Sequence, residues 1–121
     1  MLALVVGSLA LACILQNSYL KSTMEDLLSS LNRVQAACDA GNFSLAEEEY
    51  FQMDAYWEEH SDALFSILEH NEMDQILSEF KSLGANIRYG ARELLPSNIS
   101  RLAYYLDHIS DWDKFTFYNI F

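Results

Sequence analysis

The sequence predicts an all-α protein: an antiparallel four-helix bundle, with an apolar N-terminal helix, a transmembrane or signal-anchor segment, continuous with or leading into the first bundle helix. Three observations carry this prediction. Glycine and proline are scarce, four and one in 121 residues, whereas β-rich folds need many turns. Apolar residues recur at spacings of three and four along most of the chain, the period of an amphipathic helix. The stretch Met1–Leu15 carries no charge at all.

That first stretch, MLALVVGSLALACIL, is interrupted by Gly7 and Ser8 alone. A helix needs ~20 apolar residues to cross a bilayer core. Continuing through Gln16, Asn17, Ser18, Tyr19 and Leu20 supplies the length and places Tyr19 at interfacial depth. The expected division is therefore a membrane anchor over 1–20 and a helical bundle over 21–121. Three rivals remain open. A cleaved signal peptide would carry a basic n-region, and no basic residue precedes the apolar run. Ala10-Leu11-Ala12 before Cys13 has the small-x-small pattern of a cleavage or lipoprotein site, although the apolar run continues beyond the cysteine. A buried helix of a soluble core is the third.

Past the anchor, Leu20, Met24, Leu27, Leu28, Leu31, Val34 and Cys38 form one apolar face. Thr23 and Asp26 could cap a separate helix, or the helix runs unbroken out of the anchor. It is expected to stop near Ala40-Gly41, where glycine suits a left-handed cap. Ser44 with Glu47 reads as a capping box opening the second helix, with Glu47, Glu48 and Glu49 in its first turns. Ala46, Tyr50, Met53, Trp57, Leu64, Ile67 and Leu68 line its inner face, flanked by Phe51 and Tyr56, and it is expected to end around His70-Asn71. The third helix runs from about Glu72 through Met73, Ile76, Leu77, Phe80, Leu83 and Ile87 to Tyr89-Gly90. A fourth carries Leu95, Ile99, Leu102, Ala103, Leu106 and Ile109, starting at Arg92 or Ser97, since Pro96 is tolerated in a first turn.

Eighteen acidic residues against seven basic give a net charge of −11. Phosphate backbones repel such a surface, so nucleic acid is an unsuitable partner. Cys13 and Cys38, if both on one helix, lie roughly 37 Å apart at ~1.5 Å per residue, too far for a disulfide.

Chemistry-bearing motifs are few. The residues three before His60, His70 and His108 are Trp57, Ile67 and Tyr105, so the Glu-x-x-His ligands of a di-iron bundle fail each time. There is no His-Glu-x-x-His or Cys-x-x-Cys pattern. No catalytic residue, metal ligand set or cofactor is assigned. His70 stands out because Glu69, Glu72 and Asp74 surround it. Carboxylates beside an imidazole can orient it for a metal or raise its proton affinity. The same residues also read as capping, with His70 ending one helix and the acids starting the next. The terminus from Lys114 to Phe121 is apolar. Its Phe115, Phe117, Asn119, Ile120 and Phe121 either cap the bundle or dock a partner.

Taken in order, the apolar start, Asp26-Leu27-Leu28-Ser29-Ser30-Leu31, the Ala40-Gly41-Asn42-Phe43 turn, Ala46…Trp57, His70-Asn71-Glu72-Met73-Asp74 and the closing His108-Ile109…Phe115…Asn119-Ile120-Phe121 have a recognisable layout. It resembles the small membrane-anchored bacterial proteins of domain of unknown function 4363, found mainly in Clostridia and their relatives. The resemblance implies an architecture and a location rather than a reaction. It also singles out Trp57, His70, Glu72 and Asp74 as the cluster to test first.

The functional expectation is a non-enzymatic, membrane-tethered bundle on the outer side of the bacterial cytoplasmic membrane, contacting a partner that could itself be a membrane protein. The alternative is a cation- or pH-responsive sensor centred on the junction of the second and third helices. Any small-molecule ligand is left unidentified.

Overall fold

The computed structural model describes the backbone of residues 1–120 and the side chains of residues 1–109. The described residues form four α-helices: α1 (Leu2–Asp39), α2 (Phe43–Ile67), α3 (His70–Tyr89) and α4 (Leu95–Ile120), with a 3-10 turn at Arg92–Leu94. Each helix packs on its neighbours in sequence, and α4 closes the ring against α1. The protein is an all-α four-helix bundle.

The helix ends follow from local chemistry. At the end of α1, Gly41 takes φ 72°, a conformation in which a side chain would strain the backbone. That turn lets Asn42 N–H donate to Ala37 O (2.9 Å) and Gly41 N–H to Cys38 O (3.0 Å), the paired bonds of a Schellman cap. Asn42 then becomes the N-cap of α2, its side chain accepting from Leu45 N–H at 3.1 Å. The cap is thus Asn42 and not Ser44, because the left-handed glycine delivers Asn42 straight to the start of the next helix. As a result α2 has no acid in its first turn, and the expected dipole role of Glu47–Glu49 falls away. Glu49 instead pairs with Arg33 at 3.2 Å and Glu47 with Arg88 at 3.9 Å.

α2 ends at Ile67, earlier than expected. Leu68 (φ −94°, ψ 153°) and Glu69 (φ −68°, ψ 150°) are extended, so a two-residue link reverses the chain. Gly90 (φ 76°) closes α3. Pro96 sits in the first turn of α4, where its missing N–H has no intrahelical acceptor to lose.

The core is built from the faces that the periodicity marks: Leu20, Met24, Leu27, Leu31 and Val34 from α1; Ala46, Met53, Trp57 and Leu64 from α2; Met73, Ile76, Phe80, Leu83 and Ile87 from α3; and Leu95, Ile99, Leu102, Leu106 and Ile109 from α4. Full burial of one such side chain contributes about 1.5–3 kcal/mol, so these faces decide how the helices rotate. Leu28, Cys38, Tyr50, Ile67 and Leu68 sit at the margin, half-buried.

The pairing of α1 with α2 is antiparallel. Along α1, Arg33, Asp26 and Tyr19 follow one another at heptad spacing, and they meet Glu49, Tyr56 and His60 of α2 in turn. α1 is one unbroken helix of 38 residues, so no cap interrupts it at Thr23–Asp26. Thr23 instead donates its hydroxyl to Tyr19 O at 2.8 Å and is buried within the bundle.

Candidate functional site

The feature that sets this molecule apart is the N-terminal half of α1. Its first buried side chain is Leu20. Before it, Leu2, Leu4, Val5, Val6, Leu9, Leu11, Ile14 and Leu15 are all exposed. An 18-residue window of this helix has a mean hydropathy of 1.6 and is 0% buried. At ~1.5 Å per residue, 2–19 extends about 27 Å beyond the bundle core, against the ~30 Å hydrocarbon thickness of a bilayer. The one hydroxyl within its apolar run, on Ser8, is satisfied by Leu4 O at 2.8 Å, which lowers the cost of placing it in lipid.

Where this segment meets the bundle, aromatic and polar groups interlock. The Tyr19 phenol and His60 Nδ1 share a hydrogen bond of 2.6 Å. Tyr56 lies against the His60 ring with centroids 4.4 Å apart and donates its hydroxyl to Asp26 Oδ2 at 2.8 Å. Burial, reinforced by the hydrogen bond and charge of Asp26, pushes the Tyr56 phenol up to about 12. The phenol therefore keeps its proton and holds its bond to the carboxylate. Helical rise keeps α1 and α2 from sliding here, since a one-residue slip would misalign both Tyr19–His60 and Tyr56–Asp26.

The expected cluster is spread out. Trp57 is a core residue, 2% exposed and stacked on Phe80 with centroids 5.7 Å apart. It lies ten residues, about 15 Å of helix, before the end of α2. His70 is the first residue of α3, not the last of α2, so it stands at the positive end of a helix dipole, opposite to the capping role read from sequence. Asp74 is exposed one turn further along, and Glu72 is half-buried in the first turn. No group of three His, Cys, Asp or Glu side chains that could hold a metal ion forms among the described residues. The tail residues Phe115, Phe117, Asn119, Ile120 and Phe121 lie outside the described side chains; the backbone of α4 stays helical to Ile120.

In comparison with protein families, residues 14–120 match the family described as Domain of unknown function (DUF4363). The chain belongs to the DUF4363 family. No curated protein and no solved structure matches it. The DUF4363 match starts inside α1 at residue 14 and takes in the whole bundle and the end of α4.

Within the DUF4363 span, the structure shows two further arrangements that periodicity does not reveal. Asn98 is fully buried on α4. Its Nδ2 donates to Glu79 O (3.2 Å) and Glu79 Oε2 (2.7 Å), and its Oδ1 accepts from Asn86 Nδ2 (2.9 Å). Arg101 completes the group at 2.8 Å from Glu79 Oε1. Buried polar groups of this kind fix register, because any slip of α4 leaves them unpaired. The second is a cleft of about 310 Å³ between α2 and α3, with Tyr50, Phe51, Lys81, Gly84 and Arg88 among its lining. Tyr50 crosses its floor and donates to Phe80 O at 3.1 Å. Asn98 inside an otherwise apolar stripe was the signal available in the sequence for the first; Gly84 inside a helix was the signal for the second.

Proposed function

We propose that this DUF4363 chain is a single-pass protein of the bacterial cytoplasmic membrane. Its N-terminal segment, 1–20, lies in the bilayer, and its acidic bundle stands on the extracytoplasmic side as a non-enzymatic interaction or accessory subunit of a membrane complex. One observation supports the tether above all others: no side chain in the apolar window of α1 is buried by the rest of the molecule. Bare apolar helix in water loses about 25 cal/mol for every Å² exposed, and an apolar stretch of this length finds its cover in lipid. The unbroken α1 makes tether and bundle one mechanical unit, so the bundle tilts and turns with the span. The extracytoplasmic placement follows the acidic balance of the chain, eighteen acids against seven bases; Lys21, the one basic residue just past the span, by the positive-inside rule favours the opposite side.

Affinity capture from detergent-solubilised membranes tests the accessory role, with wild type compared against deletion of 115–121. Recovery of a membrane protein in fixed proportion with wild type, and its loss with the deletion, is the expected result. Equal recovery with both would remove the tail from the contact. Absence of any partner in fixed proportion with either would remove the accessory reading.

A further inference from the structure

The link between α2 and α3 lies at the end of the bundle from which the apolar segment emerges. Its depth relative to that segment follows from helix geometry. Tyr19 of α1 is hydrogen-bonded to His60 of α2, and Asp26–Tyr56 and Arg33–Glu49 pair the same two helices further along in a register three residues away. Beyond His60, α2 continues for seven residues to Ile67, about 10 Å at 1.5 Å per residue, antiparallel to α1. Phe65 is therefore level with residues 14–17 and the Leu68–Glu69 turn level with residues 10–14, inside the apolar run.

That placement conflicts with a bilayer that ends cleanly at Tyr19. A span needs ~30 Å of apolar helix, and 2–19 supplies about 27 Å. Withdrawing the bilayer to clear the α2–α3 turn would leave little more than half of this length in lipid. The headgroup layer is the zone that accommodates both. It adds roughly 5–8 Å on each side of the hydrocarbon, and local thinning and tilt absorb the remainder.

The side chains at the turn suit this layer. Phe65 is a large apolar residue, 42% exposed on the last turns of α2, with Ile67 and Leu68 half-buried beside it. Asp62, Glu69 and His70 surround them, exposed or partly so. An apolar tip ringed by hydrated groups fits an interface better than either water or hydrocarbon. The carboxylates select neutral zwitterionic headgroups over anionic ones.

We infer that the α2–α3 turn is a second membrane contact, with Phe65 seated at the headgroup–hydrocarbon boundary of the bilayer that holds the start of α1. This rests on the tether reading of the proposed function. Two contacts at different radii from the α1 axis fix the tilt of the bundle, which one helix alone leaves free.

Depth-dependent quenching tests it on the full chain. In a Cys13→Ala, Cys38→Ala background, Phe65→Cys and, separately, Leu45→Cys are labelled with an environment-sensitive fluorophore. Each is reconstituted into phosphatidylcholine vesicles carrying a lipid with its nitroxide near the headgroup. Ser66→Cys, exposed at the same level, repeats the measurement without removing an apolar side chain. Flotation of the vesicles reports the tether independently. The expected result is co-flotation, blue-shifted emission at positions 65 and 66, and quenching there several-fold greater than at position 45, which lies at the far end of the bundle. Co-flotation with equal quenching at all three positions would overturn the second contact and leave the tether standing. Failure to float would overturn both.

Discussion

Substituting Gly84 gives a change whose sign depends on one neighbour. Gly84 lies in the interior of α3, where alanine is ordinarily better by about 0.5–1 kcal/mol. Here a Cβ would stand 2.5 Å from both Cζ and the hydroxyl oxygen of Tyr50. The Tyr50 ring is not free to retreat. It lies 5.2 Å from the Phe80 ring, and its hydroxyl is bonded to Phe80 O. Overpacking of this kind costs about 1–3 kcal/mol, and displacing the ring adds the loss of one hydrogen bond, about 1 kcal/mol. Net of the helix preference, Gly84→Ala should destabilise by about 1–3 kcal/mol, a fall in Tm of roughly 5–15 °C for a domain of this size. In a Tyr50→Leu background, where the shorter side chain ends before Gly84, the same change should stabilise by about 0.5–1 kcal/mol. Thermal unfolding of the four proteins in detergent micelles, followed by far-ultraviolet circular dichroism, completes the double-mutant cycle. An equal effect of Gly84→Ala in both backgrounds would refute the close approach.

Other substitutions read different parts of the bundle. Asn98→Ala removes three hydrogen bonds from a fully buried site and should cost about 2–4 kcal/mol in denaturant unfolding. Glu79→Gln, which keeps the shape and loses the charge opposite Arg101, should cost less. Trp57→Ala empties the stack on Phe80 and should cost about 3–5 kcal/mol; a variant that kept full stability would contradict its role in the core. Tyr50 and Tyr56 are both pushed up from 10.0 to about 12, in each case chiefly by burial. Their folded-state values lie above the unfolded value, so the stability they contribute is complete below pH 10 and is lost as pH rises from about 10 to about 12. Phenolate absorbance against pH should show Tyr50 and Tyr56 titrating late in the native protein, and the Tyr56 contribution should disappear in Tyr56→Phe.

The sequence-to-structure correspondence is strongest where one helix speaks for itself. The inner faces of all four helices follow from three-and-four spacing, because burial against a common core imposes that period on each helix separately. Gly41 and Gly90 mark helix ends through their own backbone conformation. The Ser44–Glu47 capping box misled for a related reason. Such a motif records a capacity, and the Schellman turn at Gly41 had already handed the cap to Asn42. The end of α2 was placed too late because Leu68 continues the apolar pattern although its backbone is extended, and periodicity does not sense ψ. That error moved His70 from the negative end of one dipole to the positive end of another. Asn98 with Glu79, Tyr50 with Gly84 and Tyr19 with His60 pair residues 19, 34 and 41 positions apart. Such pairs need the helix rotations and the register to be known first, so they stayed illegible in one sequence.

Membrane residence of the bundle through α1 is the claim on which the rest depends. Fractionation of cells expressing the full chain with a C-terminal tag, combined with an alkaline wash of the membranes and external protease treatment of spheroplasts, measures it directly. The account predicts that the uncleaved protein remains in the washed membrane pellet and that the tag is lost to external protease. Recovery of the full-length protein in the soluble fraction, or of a shortened chain freed from the membrane, would contradict it.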